Sequence, residues 1–295
     1  MATVQGLYAI IGSNYSGSTL LNAMMNAHSR ISGGGELHWL LQRGPKSRCG
    51  ICGESCLHWS EDVRKEITSR NIYSTVSRLF GKPFVVDASK MPEWFSSTLP
   101  IYQSSATSRM PDWYRRLFPI EPSKKTCLIL LAKHPIRLVS SFVYRARYFP
   151  HRTKYTVFAD IPYTLAFLRK LYGHSARKLP ITYFLKYEEL VLFPQRTLER
   201  LFGYFDLPFE PAVLNWQQSE HHFIGGNGGP RYQIDRTLTP GGVRKAKYAV
   251  ESLFLDDSYK EILTKQDVEA VCANDDARYL FDMFGYDAHP DAASG

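Results

Sequence analysis

Long hydrophobic runs are missing from this 295-residue sequence. No apolar stretch approaches the ~18 residues that a membrane span requires, so no transmembrane segment is expected. Met1 to Gly6 lacks the basic stretch of a secretory signal and leads straight into an apolar run. Cysteine is scarce, five residues in 295, which does not suggest a disulfide framework. These absences point to a cytoplasmic protein. Internal repeats and low-complexity tracts are absent too. With 44% hydrophobic and 22% charged residues, the composition excludes wholesale disorder, collagen and coiled coil. A chain of this length buries a full core without staples. The expectation is a single domain over residues 1–295, because α/β folds often reach this size as one unit.

Charge is present in excess and unevenly spread. The formal net charge is +8. Between Arg109 and Lys154 eleven basic residues face only Asp112 and Glu121, whereas from Val250 onward eleven acids face Lys260, Lys265 and Arg278. A basic middle segment suits an anionic ligand such as a nucleotide or a sulfated or phosphorylated substrate, and equally suits a solvated surface.

Short apolar runs at Leu7–Gly12, Pro83–Asp87, Thr126–Leu131 and Ile181–Leu185 have the length and continuity of strands buried on both faces. Helical spacing follows at Thr19–His28, Arg137–Tyr148, Pro162–Lys178, Pro194–Phe205 and Asp275–Phe284. Strands alternating with helices predict an α/β fold with a parallel central sheet flanked by helices on both faces. Residues 42–60, which hold three cysteines, and residues 221–245, rich in Gly, Pro and Arg, read as a loop insertion and a late loop or lid.

Gly12-Ser13-Asn14-Tyr15-Ser16-Gly17-Ser18-Thr19 joins the first strand to the first helix. Small residues there let backbone N–H groups converge on an anion, and the helix N-terminus adds about half a positive charge. The spacing is that of the nucleotide-triphosphate loop G-x-x-x-x-G-K-[ST], but Ser18 stands where the lysine should be. Lacking the cation that reaches the β- and γ-phosphates, the loop does not suit ordinary ATP or GTP chemistry. A second group, Lys133-His134-Pro135 with Ser141 on the following helix, falls at the carboxyl end of a strand, where open α/β sheets bind ligands.

Taken in order, these segments resemble the sulfotransferase superfamily that uses 3′-phosphoadenosine 5′-phosphosulfate (PAPS), and its bacterial and tyrosylprotein branches in particular. Gly12–Leu21 is similar to the family's 5′-phosphosulfate loop, usually P-[RK]-S-G-T-T. Lys133–Ser141 is similar to its 3′-phosphate motif, usually R-x-P followed by a serine. Tyr187-Glu-Glu-Leu-Val-Leu-Phe-Pro194, continuing to Leu201–Phe209, resembles the signature Y-E-D-L…P…F-L-G-L-x-F, and His221–Arg231 resembles a late I-G-G-N-x-x-R segment. The likeness spans residues 7–231 and implies a P-loop-like fold and transfer of a sulfuryl group to an acceptor hydroxyl, with release of adenosine 3′,5′-bisphosphate (PAP) and no metal requirement.

The resemblance also implies roles. Asn14, Tyr15, Ser16, Gly17, Ser18 and Thr19 would hold the 5′-phosphosulfate, chiefly through backbone amides. Lys133 and Ser141 would hold the 3′-phosphate, with Arg231 closing over it. Lys90, in Asp87-Ala-Ser-Lys90-Met-Pro92, would stabilise the leaving group. Glu36, in Gly33-Gly-Gly-Glu36, would act as the base, the three glycines letting the backbone pass close to substrate, and His38 is the alternative base. Two departures stand out: Lys133 replaces an arginine and loses its bidentate fork, and Asn14-Tyr15 replace Pro-Arg/Lys, leaving the loop without its own cation. A PAP-binding pseudoenzyme and a nucleotide kinase-like protein are therefore the alternatives. The acceptor is a hydroxylated small molecule, glycan, peptide or carrier-bound chain; nucleic acid is not expected.

Two further features stand apart. Cys49, Cys52, Cys56 and His58 have ligand types at near-zinc spacing, compatible with a structural metal, a disulfide or free thiols. Tyr144, Tyr148 and Phe149 beside Arg145, Arg147 and Arg152 resemble a base-stacking surface, but no nucleic-acid motif accompanies them.

Overall fold

A computed structural model describes residues 4–99, 126–149, 153–238, 248 and 253–291. Much of the basic stretch 109–154 and the end of the 221–245 segment lie outside the described residues.

Five strands, β1 (Gly6–Gly12), β2 (Ile31–Gly33), β3 (Phe84–Lys90), β4 (Thr126–Ala132) and β5 (Tyr183–Lys186), form one sheet in the order β2-β3-β1-β4-β5. Every pairing is parallel. All carboxyl ends therefore point to one edge, which is where Gly12, Gly33, Lys90, Ala132 and Lys186 lie.

Alternation along β1 explains why both faces are covered. Leu7, Ala9 and Ile11 enter one core, whereas Tyr8 and Ile10 enter the other. On the first face Leu130 of β4 packs with Val139 and Phe142 of α6 (Pro135–Tyr148), Leu168 and Tyr172 of α7 (Ile161–Lys178), and Phe281 and Phe284 of α13 (Asp275–Phe284). On the second, Ile129 and Val86 pack with Leu21, Met24 and Met25 of α1 (Ser18–Asn26), Leu198 and Phe202 of α9 (Pro194–Phe202), and Trp216. The remaining helices are α2 (His38–Arg43), α3 (Glu61–Glu66), α4 (Ile72–Phe80), α5 (Pro92–Thr98), α8 (Tyr187–Leu192), α10 (Gly228–Ile234), α11 (Tyr259–Ile262) and α12 (Lys265–Ala273). The parallel α/β architecture expected from the sequence is the one found.

Among the described residues no helix is long and apolar enough to cross a membrane. The segregated charges meet in the fold. Arg137 pairs with Asp257 and lies 3.7 Å from Asp291, and Arg169 lies 2.6 Å from Asp276. Part of the basic surplus is thus neutralised from within the chain.

Candidate functional site

At the carboxyl edge of the sheet a cavity of about 1050 Å³ opens between the β1–α1 loop, the ends of β3 and β4, α10 and the segment 253–258. Asn14, Tyr15, Gly17, Thr19, Glu36, His38, Lys90, Lys133, Ser141 and Arg231 all line it. Ser16 and Ser18 do not: both are buried, and the Ser16 hydroxyl donates to the Ser13 carbonyl at 2.9 Å.

The loop is held from below. Tyr172 of α7 accepts from the Ser13 N–H at 3.2 Å and donates to the Leu131 carbonyl at 3.2 Å, joining β1 to β4. Gly17 caps α1 without a side-chain partner at φ 99°, so the first-turn amides of Ser18, Thr19 and Leu20 have no intrahelical acceptor. A Cβ at Gly17 would fall 2.5 Å from the Tyr187 ring, so only glycine fits there. The same ring lies 4.9 Å from Lys133 Nζ and so links the two halves of the cavity. Tyr15, which stands where the family's cation would be, packs edge-on against Phe142 at 5.0 Å.

Near the end of β3, Asp87 is a fully buried carboxylate. It accepts from Ser89 N–H at 2.9 Å, Ser89 hydroxyl at 2.5 Å, Trp94 Nε1 at 2.7 Å and Tyr73 hydroxyl at 3.0 Å. Burial still holds its pKa above the ordinary carboxylate value. This network fixes the turn that delivers Lys90 at φ 70°. Of the three non-glycine residues at positive φ among the described residues, two, Tyr15 and Lys90, line the cavity. Such backbone strain, roughly 1–3 kcal/mol each, concentrates at functional sites.

Lys90 Nζ pairs with Glu36 Oε1, and the Trp39 indole N–H donates to Glu36 Oε2 at 2.8 Å. Burial alone would raise the Glu36 pKa, but the Lys90 charge and hydrogen bond outweigh it, and the carboxyl titrates below its usual value. His38, whose ring lies tilted against Trp39 at 4.6 Å, is pushed down to about 4 by burial and is neutral near pH 7. The glycines before Glu36 let this loop pack closely on the late segment. A Cβ at Gly35 would lie 2.6 Å from the Ile224 carbonyl, because this loop bridges to the late segment: Ile224 N–H donates to Gly34 O and Glu36 N–H to Ile224 O, both at 2.7 Å.

Across the cavity, Lys133 Nζ lies 3.0 Å from Asp256 Oδ2 and 3.5 Å from Ser141 Oγ. His134 is structural: its Nδ1 accepts from Ile136 N–H at 3.3 Å and caps α6. The Arg231 guanidinium donates to the Gly50 carbonyl at 3.0 and 2.5 Å, tying the late segment to the cysteine-bearing one. Asn227 N–H donates to Thr19 Oγ1 at 2.8 Å, so the late segment also touches the phosphate-type loop. The supposed stacking surface is partly spent internally, with Arg145 over Phe149 at 4.3 Å and Tyr144 lining the cavity.

The cysteine group forms with one change. Cys49, Cys52 and Cys56 gather around His222, while the His58 ring lies tilted against the His222 ring at 4.1 Å. Sequence reasoning missed Tyr172, Asp256 and Asn227 as site or support residues. Asn227 sat inside the quoted late segment; Tyr172 and Asp256 carried no sequence signal.

Comparison with known proteins accords with this geometry. No curated protein matches the chain. Two solved structures share its fold: a sulfotransferase domain from the curacin biosynthetic pathway, 19% identical over 97% of this chain and 99% of that one, with TM-score 0.60, and a sulfotransferase domain from the Synechococcus PCC 7002 olefin synthase, 16% identical over 97% of each, with TM-score 0.57. The Sulfotransferase family profile matches residues 9–211, from β1 to beyond α9 and most of the chain, and the protein therefore belongs to the Sulfotransferase family.

Proposed function

We propose that this chain moves a sulfuryl group from PAPS to an acceptor hydroxyl, and that the cavity holds both substrates. The observation that carries this is the pairing of Lys90 with Glu36 inside a cavity bounded on one side by the β1–α1 loop and on another by Lys133 and Ser141. The surroundings fit such a donor. The orphan amides of α1 suit a 5′-anion, Lys133 and Ser141 suit a second phosphate, and a buried Ser18 in place of a lysine leaves no cation for a triphosphate.

When bound, PAPS supplies a sulfuryl group on a phosphate that leaves as PAP after in-line attack by the acceptor oxygen. The first-turn amides of α1, at Thr19 and Leu20, orient the 5′ end, and Lys133, Ser141 and Arg231 serve the 3′ end. Lys90 Nζ turns from Glu36 toward the oxygen on which charge develops. Glu36 then keeps Trp39 but loses its cation, and burial drives its pKa upward, making Oε1 a better acceptor of the hydroxyl proton. Lys90 would thus couple donor binding to activation of the base. Neutral His38 lies beside Glu36 as a polar contact for the acceptor. No metal is needed for these steps, since Lys90 and the helix N-terminus provide the positive charge.

The test is transfer of label from [³⁵S]PAPS to a panel of hydroxylated small molecules, glycans, peptides and carrier-bound chains. Label transfer by the wild type, reduced by ~10²–10³ in Lys90→Met, is the expected result. Transfer that survives both Lys90→Met and Glu36→Gln within a few-fold contradicts the assignment.

A further inference from the structure

The strongest unassigned feature lies outside the cavity, where two segments far apart in sequence are pinned together. Cys49, Cys52 and Cys56 offer three thiols and His222 one imidazole nitrogen, and all four ligand atoms lie within 4.8 Å of one another. His222 Nδ1 is 3.3 Å from Cys52 Sγ and 3.4 Å from Cys56 Sγ. A tetrahedral zinc with bonds of about 2.3 Å to sulfur and 2.0–2.1 Å to nitrogen sets its sulfur and nitrogen about 3.6 Å apart, so the His222–Cys52 and His222–Cys56 separations already lie within a few tenths of an ångström of that geometry.

Three details point to a metal rather than to a chance cluster. The Cys49–Gly53 turn aims the N–H groups of Ile51 and Cys52 at Cys49 Sγ, at 3.5 and 3.4 Å, and closes with Gly53 N–H to the Cys49 carbonyl at 3.1 Å. A metal deprotonates the thiol it binds, and these N–H groups are placed to donate to the resulting thiolate. His222 turns Nδ1 to the thiols and places Nε2 2.7 Å from Glu220 Oε1. A carboxylate on the far ring nitrogen is the usual partner of a metal-bound histidine, because it fixes the tautomer and raises ligand basicity. Finally, the neighbouring backbone is already ordered for the role, with Trp59 Nε1 donating to the His222 carbonyl at 2.8 Å and Gly50 N–H to Phe223 O at 2.6 Å.

We propose that Cys49, Cys52, Cys56 and His222 bind one structural Zn²⁺, with Glu220 orienting the histidine. His58, the nearer histidine in sequence, packs on the site without completing it. The four-ligand set is closed, so the metal has no open position for chemistry. Its effect is positional. It ties the cysteine-bearing segment to the strand-like run at Ile224, and that run carries Asn227 to Thr19 and Arg231 to Gly50. This site does not depend on which donor the cavity takes.

Zinc content of the intact protein, purified under reducing conditions without chelator, tests the proposal directly. About one zinc per chain is expected by mass spectrometry, released when an organomercurial blocks the thiols. Cobalt(II) in its place should show thiolate charge-transfer and tetrahedral d–d absorption. Cys56→Ser and His222→Ala should lower zinc affinity at least tenfold while His58→Ala keeps full stoichiometry, and Glu220→Gln should weaken it about 10–100-fold. Wild-type protein that holds no zinc and gives no cobalt spectrum overturns the proposal. So does a disulfide among the three cysteines in reduced preparations, or metal lost with His58 and kept without His222.

Discussion

Two buried lysines face the same cavity and differ in what neutralises them. Lys90 pairs with Glu36, which sits between β2 and α2 and is held by Ile224 and Trp39; both partners belong to the sheet's own edge. Lys133 pairs with Asp256, which comes from a segment that follows the last strand by about seventy residues and folds in from outside the sheet. The first arrangement suits a cation that changes partner while its carboxylate stays in place. The second suits a carboxylate standing where a bound anion would otherwise neutralise the lysine. Proposed chemistry falls at the built-in pair, and proposed recognition at the replaceable one.

The largest expected effect separates the two. Lys90→Met leaves Glu36 buried without its cation and should cost about 3–5 kcal/mol of unfolding free energy, most of it recovered by adding Glu36→Gln. Lys133→Met should cost clearly less, because Asp256 keeps the Ser258 N–H and hydroxyl as donors at 3.2 and 2.5 Å. Denaturant unfolding of the four proteins measures this, and equal costs at both lysines would break the contrast. Next in size, Asp256→Asn should tighten PAP binding about tenfold, corresponding to ~1.4 kcal/mol, by removing the competing anion. Isothermal titration that finds unchanged or weaker affinity would show that Asp256 does not compete.

The smallest effect is a pH dependence. Burial holds His38, His134 and His221 down to about 4. With ordinary values near 6.5 in the unfolded chain, the unfolded state gains protons first as pH falls. Their contribution to stability is therefore full above about pH 6.5 and declines toward pH 4. Glu36, also lowered, adds a loss in the same direction at more acidic pH. In Lys90→Met the Glu36 contribution should reverse sign, since burial then acts alone and raises its pKa. Melting temperature followed from pH 7.5 to 4.5 in the wild type, His38→Gln and Lys90→Met checks both signs.

Much of the architecture was readable because β1, β3 and β4 are buried along their whole length and so appear as largely apolar runs; β5, a partly exposed edge strand with Phe184 on the surface, was legible only as a short apolar run. β2 escaped notice because Ile31-Ser32-Gly33 is too short to carry a pattern. α10 escaped because Gly228-Gly229-Pro230 signals a loop by local preference, yet Gly229 packs against Tyr248 and the turn becomes helical. In the site, Lys90 and Glu36 could be named from short motifs near strand ends, but not their contact, which spans 54 positions. The same limit applies to the histidines beside the cysteines. His58 stands two residues from Cys56, whereas His222 stands 166 away and is brought in by its pairing with the glycine loop. Spacing reports local turns; ligands assembled from separate loops need the sheet to place them.

The central claim is that this cavity takes an adenosine donor with separate 3′ and 5′ anions. Thermal unfolding with PAP, and in parallel with ATP–Mg²⁺, tests it most directly. At about 100 times its Kd, a ligand selective for the native state adds ~2.7 kcal/mol. PAP should therefore raise Tm by several degrees in the wild type and by much less in Lys133→Met, with little effect from ATP–Mg²⁺. A shift with ATP–Mg²⁺ as large as that with PAP, or no shift with PAP at all, would contradict the account.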